Sequence, residues 1–164
     1  MSLAWRALGA VLALPGTVAV LVPAGLIASE HPKLPSGLAW LGLIPAILGA
    51  AVLLECVRRF AVQGRGTLAP WDPPERLVVQ GLYRWVRNPM YVGVLLVLAG
   101  WAICFRSTTL ATYALIVGVG FHLRVVLVEE VRLRERFGLA FGDYCERVPR
   151  WVPRIFGGRS GTSS

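Results

Sequence analysis

Residues 88–128 read NPMYVGVLLVLAGWAICF-R-STTLATYALIVGVGFHLRVVLV, two apolar runs separated by a single charged residue, Arg106. The first run, 88–105, has no charged residue, and the second, 107–128, contains only one histidine and one arginine. A helix needs about 20 apolar residues to cross the hydrocarbon core of a bilayer. The two runs therefore predict a hairpin of two membrane-spanning helices with almost no loop between them.

Two further apolar stretches precede this hairpin, at about 7–28 and 37–57. The chain is 55% apolar and 16% charged, whereas soluble domains are about 45–50% apolar and about 25% charged. A soluble helical protein of 164 residues would have too few polar side chains to cover four such stretches. We predict a single all-α membrane domain with about four transmembrane helices, a cytoplasmic loop and a helical C-terminal tail at 129–164.

The basic residues predict the orientation of these helices. Most lie between the second and third apolar runs or after the fourth, and cytoplasmic loops are rich in lysine and arginine. We therefore expect a multi-pass protein with both termini in the cytoplasm. The net charge of +8 then indicates attraction to membrane lipids of the cytoplasmic leaflet rather than nucleic-acid binding. One lysine against sixteen arginines suggests a GC-rich genome, which favours a bacterial inner membrane.

The start of the third predicted helix is the first candidate site. Asn88 is suited to the N-cap position and Pro89 to the first turn. Free N–H groups at a helix start attract anions such as carboxylates, and Arg84 and Arg87 add positive charge. Flat apolar surfaces are provided by Tyr83, Trp85 and Tyr91. The competing interpretation is an interfacial anchor, because arginine and aromatic residues collect at membrane surfaces.

The end of the fourth predicted span is the second candidate site, with His122, Arg124, Glu129 and Glu130. Charged groups at such a position are candidates for function. The adjacent glutamates point about 100° apart on a helix, so one can face the bundle and the other water. Glu130 is also placed to pair with Arg134 one turn later. Alternatively, these residues form an ordinary solvated helix end, and His122 is a hydrogen-bonded packing residue.

Metal and soluble-cofactor signatures are missing from the sequence. Two histidines and three widely separated cysteines provide no metal-ligand spacing, so no metal site is predicted. There is no phosphate-binding loop and no glycine-rich dinucleotide fingerprint. A cofactor would have to bind at the membrane face.

Several short motifs occur in a characteristic order over roughly residues 64–155. They are Ala69-Pro70-Trp71-Asp72-Pro73-Pro74, Gly81-x-Tyr83, Arg87-Asn88-Pro89-Met90-Tyr91-Val92-Gly93, Glu129-Glu130, Phe137-Gly138, Tyr144 and Val148-Pro149-Arg150. This arrangement resembles the integral membrane methyltransferases of the isoprenylcysteine carboxyl methyltransferase and phospholipid N-methyltransferase group.

The resemblance implies methyl transfer from S-adenosylmethionine to a lipid-like acceptor at the cytoplasmic membrane face. The cofactor-binding residues that it implies are Tyr83, Arg87, Asn88, Pro89, Tyr91, Gly93, Glu129, Glu130 and Tyr144. Many members have histidine where this chain has Asn88, which can form hydrogen bonds but cannot carry a proton near neutral pH. A carboxylate acceptor would need no base, and Arg124 would orient it. For an amine acceptor, the candidate bases are Glu129, Glu130 and His122.

Two other functions fit the same sequence. Membrane sterol reductases have a similar C-terminal pattern of arginine, proline and tyrosine but use NADPH, and they carry more spans. A non-enzymatic small membrane protein would bind neither cofactor. The sequence also leaves open the acceptor, which is an isoprenylcysteine, a phospholipid amine or a small hydrophobic thiol or acid, and it does not indicate the oligomeric state.

Overall fold

A computed structural model of the protein describes residues 12–30, 35–59, 77 and 79–153. Within these ranges, the α-helices are α1 (Val22–Glu30), α2 (Leu43–Arg59), α3 (Pro89–Phe105), α4 (Thr108–Arg124) and α5 (Glu130–Arg147). Two π-helical segments, Leu12–Leu21 and Val125–Glu129, lead into α1 and α5, and two 3₁₀ segments are Gly37–Gly42 and Gly81–Arg84. These ranges contain no β-strand.

Three parts of the sequence-based predictions lie outside the described residues. They are the first residues of the first span, 7–11, the motif Ala69–Pro74 in the predicted loop, and the end of the tail, 154–164.

The two longest apolar helical stretches direct most of their side chains outward. Gly37–Arg59 and Thr108–Arg147, of 23 and 40 residues, are long and apolar enough to cross a membrane, and Pro15–Glu30 and Pro89–Phe105 are shorter apolar helices. Only 17% and 6% of the most apolar stretches of the two long helices are buried. An apolar surface of this extent requires a lipid environment. The prediction of an all-α membrane protein is therefore confirmed.

Helices α2 and α3 pack at very short distance through glycines. A Cβ atom on Gly49 would lie 2.5 Å from the carbonyl oxygen of Gly93, and one on Gly100 would lie 2.6 Å from Cβ of Ala46. Small residues allow membrane helices to approach closely enough for extensive van der Waals contact. This contact fixes the start of α3 relative to the end of α2.

The connection between α3 and α4 is as tight as predicted. Arg106 adopts a left-handed conformation with φ 49°, which ends α3. Ser107 then caps α4, because its hydroxyl accepts a hydrogen bond of 3.2 Å from the N–H of Leu110. The same hydroxyl donates to the Glu30 carboxylate at 2.9 Å, so the end of α1 is fastened to this hairpin.

Beyond α4, the helix continues through the π-helical segment into α5. Gly138 interrupts α5, because this residue has φ 50° and ψ −124°. Helical structure then resumes as far as Arg147. In the helical turns after Gly138, Phe141 and Tyr144 are buried in a cluster with Val148. The tail is thereby folded back against the start of α3.

Candidate active site

The strap, Val148–Trp151, joins the tail to the start of α3. The backbone N–H of Arg87 donates to the carbonyl of Pro149 at 2.9 Å. The side-chain amide of Asn88 donates to the carbonyl of Arg150 at 3.2 Å. Asn88 does occupy the N-cap position, but its side chain accepts no capping hydrogen bond. The predicted N-cap position is confirmed, and the side-chain amide of Asn88 binds the strap.

Glu130 lies at the centre of a charged cluster with Arg87 and Arg150. Its carboxylate accepts from Nη1 of Arg87 at 3.0 Å, and from Nε and Nη2 of Arg150 at 2.7 and 2.9 Å. The side chain of Glu130 is only 11% exposed. The expected ion pair with Arg134 is therefore wrong. The buried Glu130 carboxylate pairs instead with Arg87 and Arg150, which are distant from it in sequence.

This cluster carries more positive than negative charge. Two guanidinium groups share one carboxylate, and Nε of Arg87 is buried without a hydrogen-bond partner. Nη1 of Arg87 also contacts the Cys145 sulfur at 2.8 Å. The Glu130 carboxylate raises the pKa of Arg150 above its ordinary value, so the arginine charge is permanent. Such a cluster is suited to a second anion.

Glu129 belongs to a separate group with Tyr91 and Arg124. Its carboxylate accepts hydrogen bonds from the Tyr91 hydroxyl and, at 2.9 Å, from Nε of Arg124. Arg124 and Glu129 are five residues apart, a spacing that a regular α-helix places on different faces. The π-helical segment Val125–Glu129 brings them together, because its hydrogen bonds close over five residues.

The two glutamates therefore point to different partners, as their adjacent positions predicted. Glu130 is buried, whereas the side chain of Glu129 is 30% exposed. Of the two carboxylates, Glu129 is the more accessible to a small molecule.

Aromatic rings surround the Glu129 group. The ring centroids of Tyr91 and Phe121 lie 4.4 Å apart, and those of Tyr91 and Trp151 lie 6.4 Å apart. Nε1 of Trp151 donates to Nδ1 of His122 at 3.3 Å. In the part of the chain that is described, His122 has no direct bond to Glu129, and the contact between them runs through Trp151 and Tyr91.

Four further predicted residues have mainly packing contacts. The Tyr144 hydroxyl donates to the backbone carbonyl of Tyr83 at 2.7 Å. Burial raises the pKa of the Tyr83 phenol well above its ordinary value, so it stays protonated. Gly93 faces α2, where a Cβ atom would lie 3.0 Å from the carbonyl oxygen of Gly49. Pro89 is buried at the first position of α3.

The sequence did not single out Phe121, Cys145 or Trp151 as members of this site. Phe121 and Cys145 carry no motif signal, because an apolar residue in a span and an isolated cysteine are ordinary. Trp151 follows directly after the motif Val148-Pro149-Arg150, and that position was the available signal. Among the residues that the structure describes, no group of three potential metal ligands comes together.

Comparison with known proteins identifies the family of this chain. The family described as phospholipid methyltransferase matches residues 38–140. A probable protein-S-isoprenylcysteine O-methyltransferase of Oryza sativa subsp. indica is 28% identical over 124 residues, which cover 71% of this chain and 61% of the rice protein. The protein-S-isoprenylcysteine O-methyltransferase of Rattus norvegicus is 32% identical over 127 residues, 73% of this chain and 43% of the rat protein.

The chain thus spans less than two thirds of the length of these relatives. The family match, in contrast, covers more than half of the chain and contains both glutamates, the start of α3 and the π-helical segment. The resemblance seen in the motifs is confirmed, and this chain belongs to the phospholipid methyltransferase family.

Proposed function

We propose that the protein transfers a methyl group from S-adenosylmethionine to a lipid-like acceptor at the cytoplasmic face of the membrane. The main observation in support of the proposal is that two neighbouring sites offer groups of opposite charge. One is the cationic cluster around Glu130, and the other is the accessible carboxylate of Glu129 with its aromatic neighbours. Family membership favours this function over a reductase or a non-enzymatic protein.

The residues fit the chemical groups of S-adenosylmethionine. Its carboxylate would bind at the cationic cluster, where Nε of Arg87 is buried without a partner. The positive end of the α3 dipole lies next to this cluster. Its ammonium group would bind Glu129, because the side chain of Glu129 is more exposed than that of Glu130. Tyr91 and Trp151 offer ring faces of the kind that attract cations such as a sulfonium.

When bound, S-adenosylmethionine supplies an electrophilic methyl group for an in-line displacement. The protein then has to align two substrates and exclude water. The strap contributes to both tasks, because its backbone bonds to Arg87 and Asn88 keep it over the start of α3.

The geometry favours a carboxylate acceptor over an amine. An amine would need a base, but every candidate base already accepts hydrogen bonds: Glu129 from Tyr91 and Arg124, Glu130 from two arginines, and His122 from Trp151. A carboxylate needs no base, and Arg124, whose side chain is 44% exposed, is placed to orient it. The names of the rice and rat relatives suggest the carboxylate of an isoprenylcysteine.

The same proposal includes four membrane spans with both termini in the cytoplasm. Under this topology fourteen basic residues are cytoplasmic, and only Lys33 and Arg106 lie outside. The start of α3 and the tail then share the cytoplasmic face, and the acceptor enters from the bilayer. The location in a bacterial inner membrane stays a prediction.

The experiment measures transfer of labelled methyl from S-adenosylmethionine by the purified protein to three acceptors. They are S-farnesylcysteine, the same molecule with its carboxylate esterified, and phosphatidylethanolamine. We expect methylation of the free carboxylate alone. Methylation of phosphatidylethanolamine alone would contradict the carboxylate assignment, and no transfer to any of several lipid-like carboxylates and amines would contradict the enzyme itself.

A further inference from the structure

A second cleft lies between the end of α2 and the segment that precedes α3. It has a volume of about 640 Å³, within the range of small-molecule sites. Its polar and aromatic lining residues are Glu55, Arg59, Gln80, Gly81, Arg84 and Trp85. None of them belongs to the Glu129 or Glu130 groups.

The cleft carries excess positive charge. Glu55 is already engaged by Arg58, with contacts of 2.8 and 3.0 Å, and by Nε of Arg59 at 2.6 Å. The side chain of Arg84 is exposed, and it forms no ion pair within the described ranges. The cleft is therefore lined by two guanidinium groups, those of Arg59 and Arg84, and one carboxylate, so it is suited to an anion.

The absence of a side chain at Gly81 allows the Arg59 guanidinium to lie against the backbone. The φ of Gly81 is +63°, and a Cβ atom there would lie 2.7 Å from Nε of Arg59. Only a glycine allows the guanidinium to lie this close to the backbone in this conformation. Arg59 is thus fixed between Glu55 and Gly81 on the wall of the cleft.

The cleft is also amphipathic. Trp85 is 61% exposed, a position typical of the aromatic belts at membrane interfaces. Leu54, next to Glu55 on α2, is 71% exposed and continues the apolar surface toward the bilayer. A ligand with an anionic group and an apolar extension would contact both the cationic lining of the cleft and the apolar surface beside it.

We propose that this cleft binds the phosphodiester headgroup of an anionic glycerophospholipid from the cytoplasmic leaflet. Basic pockets beside membrane helices on this side are suited to lipid headgroups. Arg84 and Arg59 contact the phosphodiester, Trp85 lies at the level of the glycerol, and the acyl chains follow the exposed side of α2. The proposal rests on the topology given above, but it does not depend on methyl transfer.

The test measures lipid binding by native mass spectrometry of the full-length protein in detergent, with phosphatidylglycerol and phosphatidylcholine as probes. We expect preferential binding of phosphatidylglycerol. Replacement Arg84→Ala should weaken it about fivefold, the effect of one interfacial arginine, and Arg84→Glu should weaken it more. The matched control is Arg132→Ala, an exposed arginine on α5.

Equal binding of phosphatidylglycerol by wild type, Arg84→Ala and Arg84→Glu would overturn the proposal. Displacement of the lipid by millimolar inorganic phosphate would also overturn it, because the cleft would then be a site for free phosphate. S-adenosylmethionine binding is measured on the same variants and should be unchanged. A protein that binds the lipid but no S-adenosylmethionine would contradict only the proposed methyl transfer.

Discussion

Glu129 and Glu130 are neighbours in the sequence, yet the structure gives them different surroundings. Glu130 is almost fully buried and is held by Arg87 from the start of α3 and Arg150 from the strap. Glu129 is 30% exposed, and its partner Arg124 is 44% exposed. The difference suggests a division of roles, in which Glu130 assembles the site and Glu129 is available to a ligand. Each prediction below tests one side of this division.

The largest effect is expected for Glu130→Gln. This replacement leaves two partly buried arginines without a carboxylate, and breaking a buried pair costs about 3 kcal/mol. The free energy of unfolding, measured in detergent by thermal or denaturant unfolding, should fall by about that amount. Glu135→Gln, on the exposed side of α5, is the control. A stability equal to that of the control would show that Glu130 does not hold the strap.

For Glu129→Gln we expect the opposite pattern. Exposed ion pairs contribute about 1 kcal/mol or less, so the free energy of unfolding should change little. The affinity for S-adenosylmethionine should fall by about 10–100-fold, because a hydrogen bond between charged groups is lost. Calorimetric titration of the variant measures this. Unchanged affinity, with wild-type stability, would remove Glu129 from the proposed cofactor site.

A smaller effect is expected for Arg150→Lys. Lysine keeps the charge but cannot make the two parallel contacts of 2.7 and 2.9 Å to Glu130. The free energy of unfolding should fall by about 1 kcal/mol, whereas Arg132→Lys should have no effect. If Arg150→Lys destabilises as strongly as Glu130→Gln, charge alone does not explain the cluster.

The smallest effect is expected for Trp151→Phe. The ring beside Tyr91 is kept, but the N–H that donates to His122 is lost. We expect a loss of about 0.5 kcal/mol in the free energy of unfolding and little change in cofactor affinity. Trp151→Ala removes the ring as well and should weaken cofactor binding. Equal affinities of these two variants would show that the ring is not part of the site.

The sequence predicted the helices better than the contacts within the candidate site. The apolar run 88–105 coincides closely with α3, because length and hydropathy alone determine where a chain can cross a bilayer. The partners of Glu130 were missed because Arg87 and Arg150 are distant in sequence, and only the folded strap brings them together. The contact between Arg124 and Glu129 depends on a π-helical turn, which residue periodicity does not reveal.

Asn88 shows the same limit at a single residue. Its type and position before Pro89 indicated a cap, and the backbone does place it there. The side-chain amide donates to the carbonyl of Arg150 in the strap, which is a contact with a distant part of the chain. Local preference predicted the position but not the partner.

The most direct test of the account is calorimetric titration of the purified wild-type protein with S-adenosylmethionine, and with NADPH in parallel. The account predicts micromolar binding of S-adenosylmethionine and no binding of NADPH. Binding of NADPH alone would contradict it and would assign the charged cluster and the Glu129 group to a reductase.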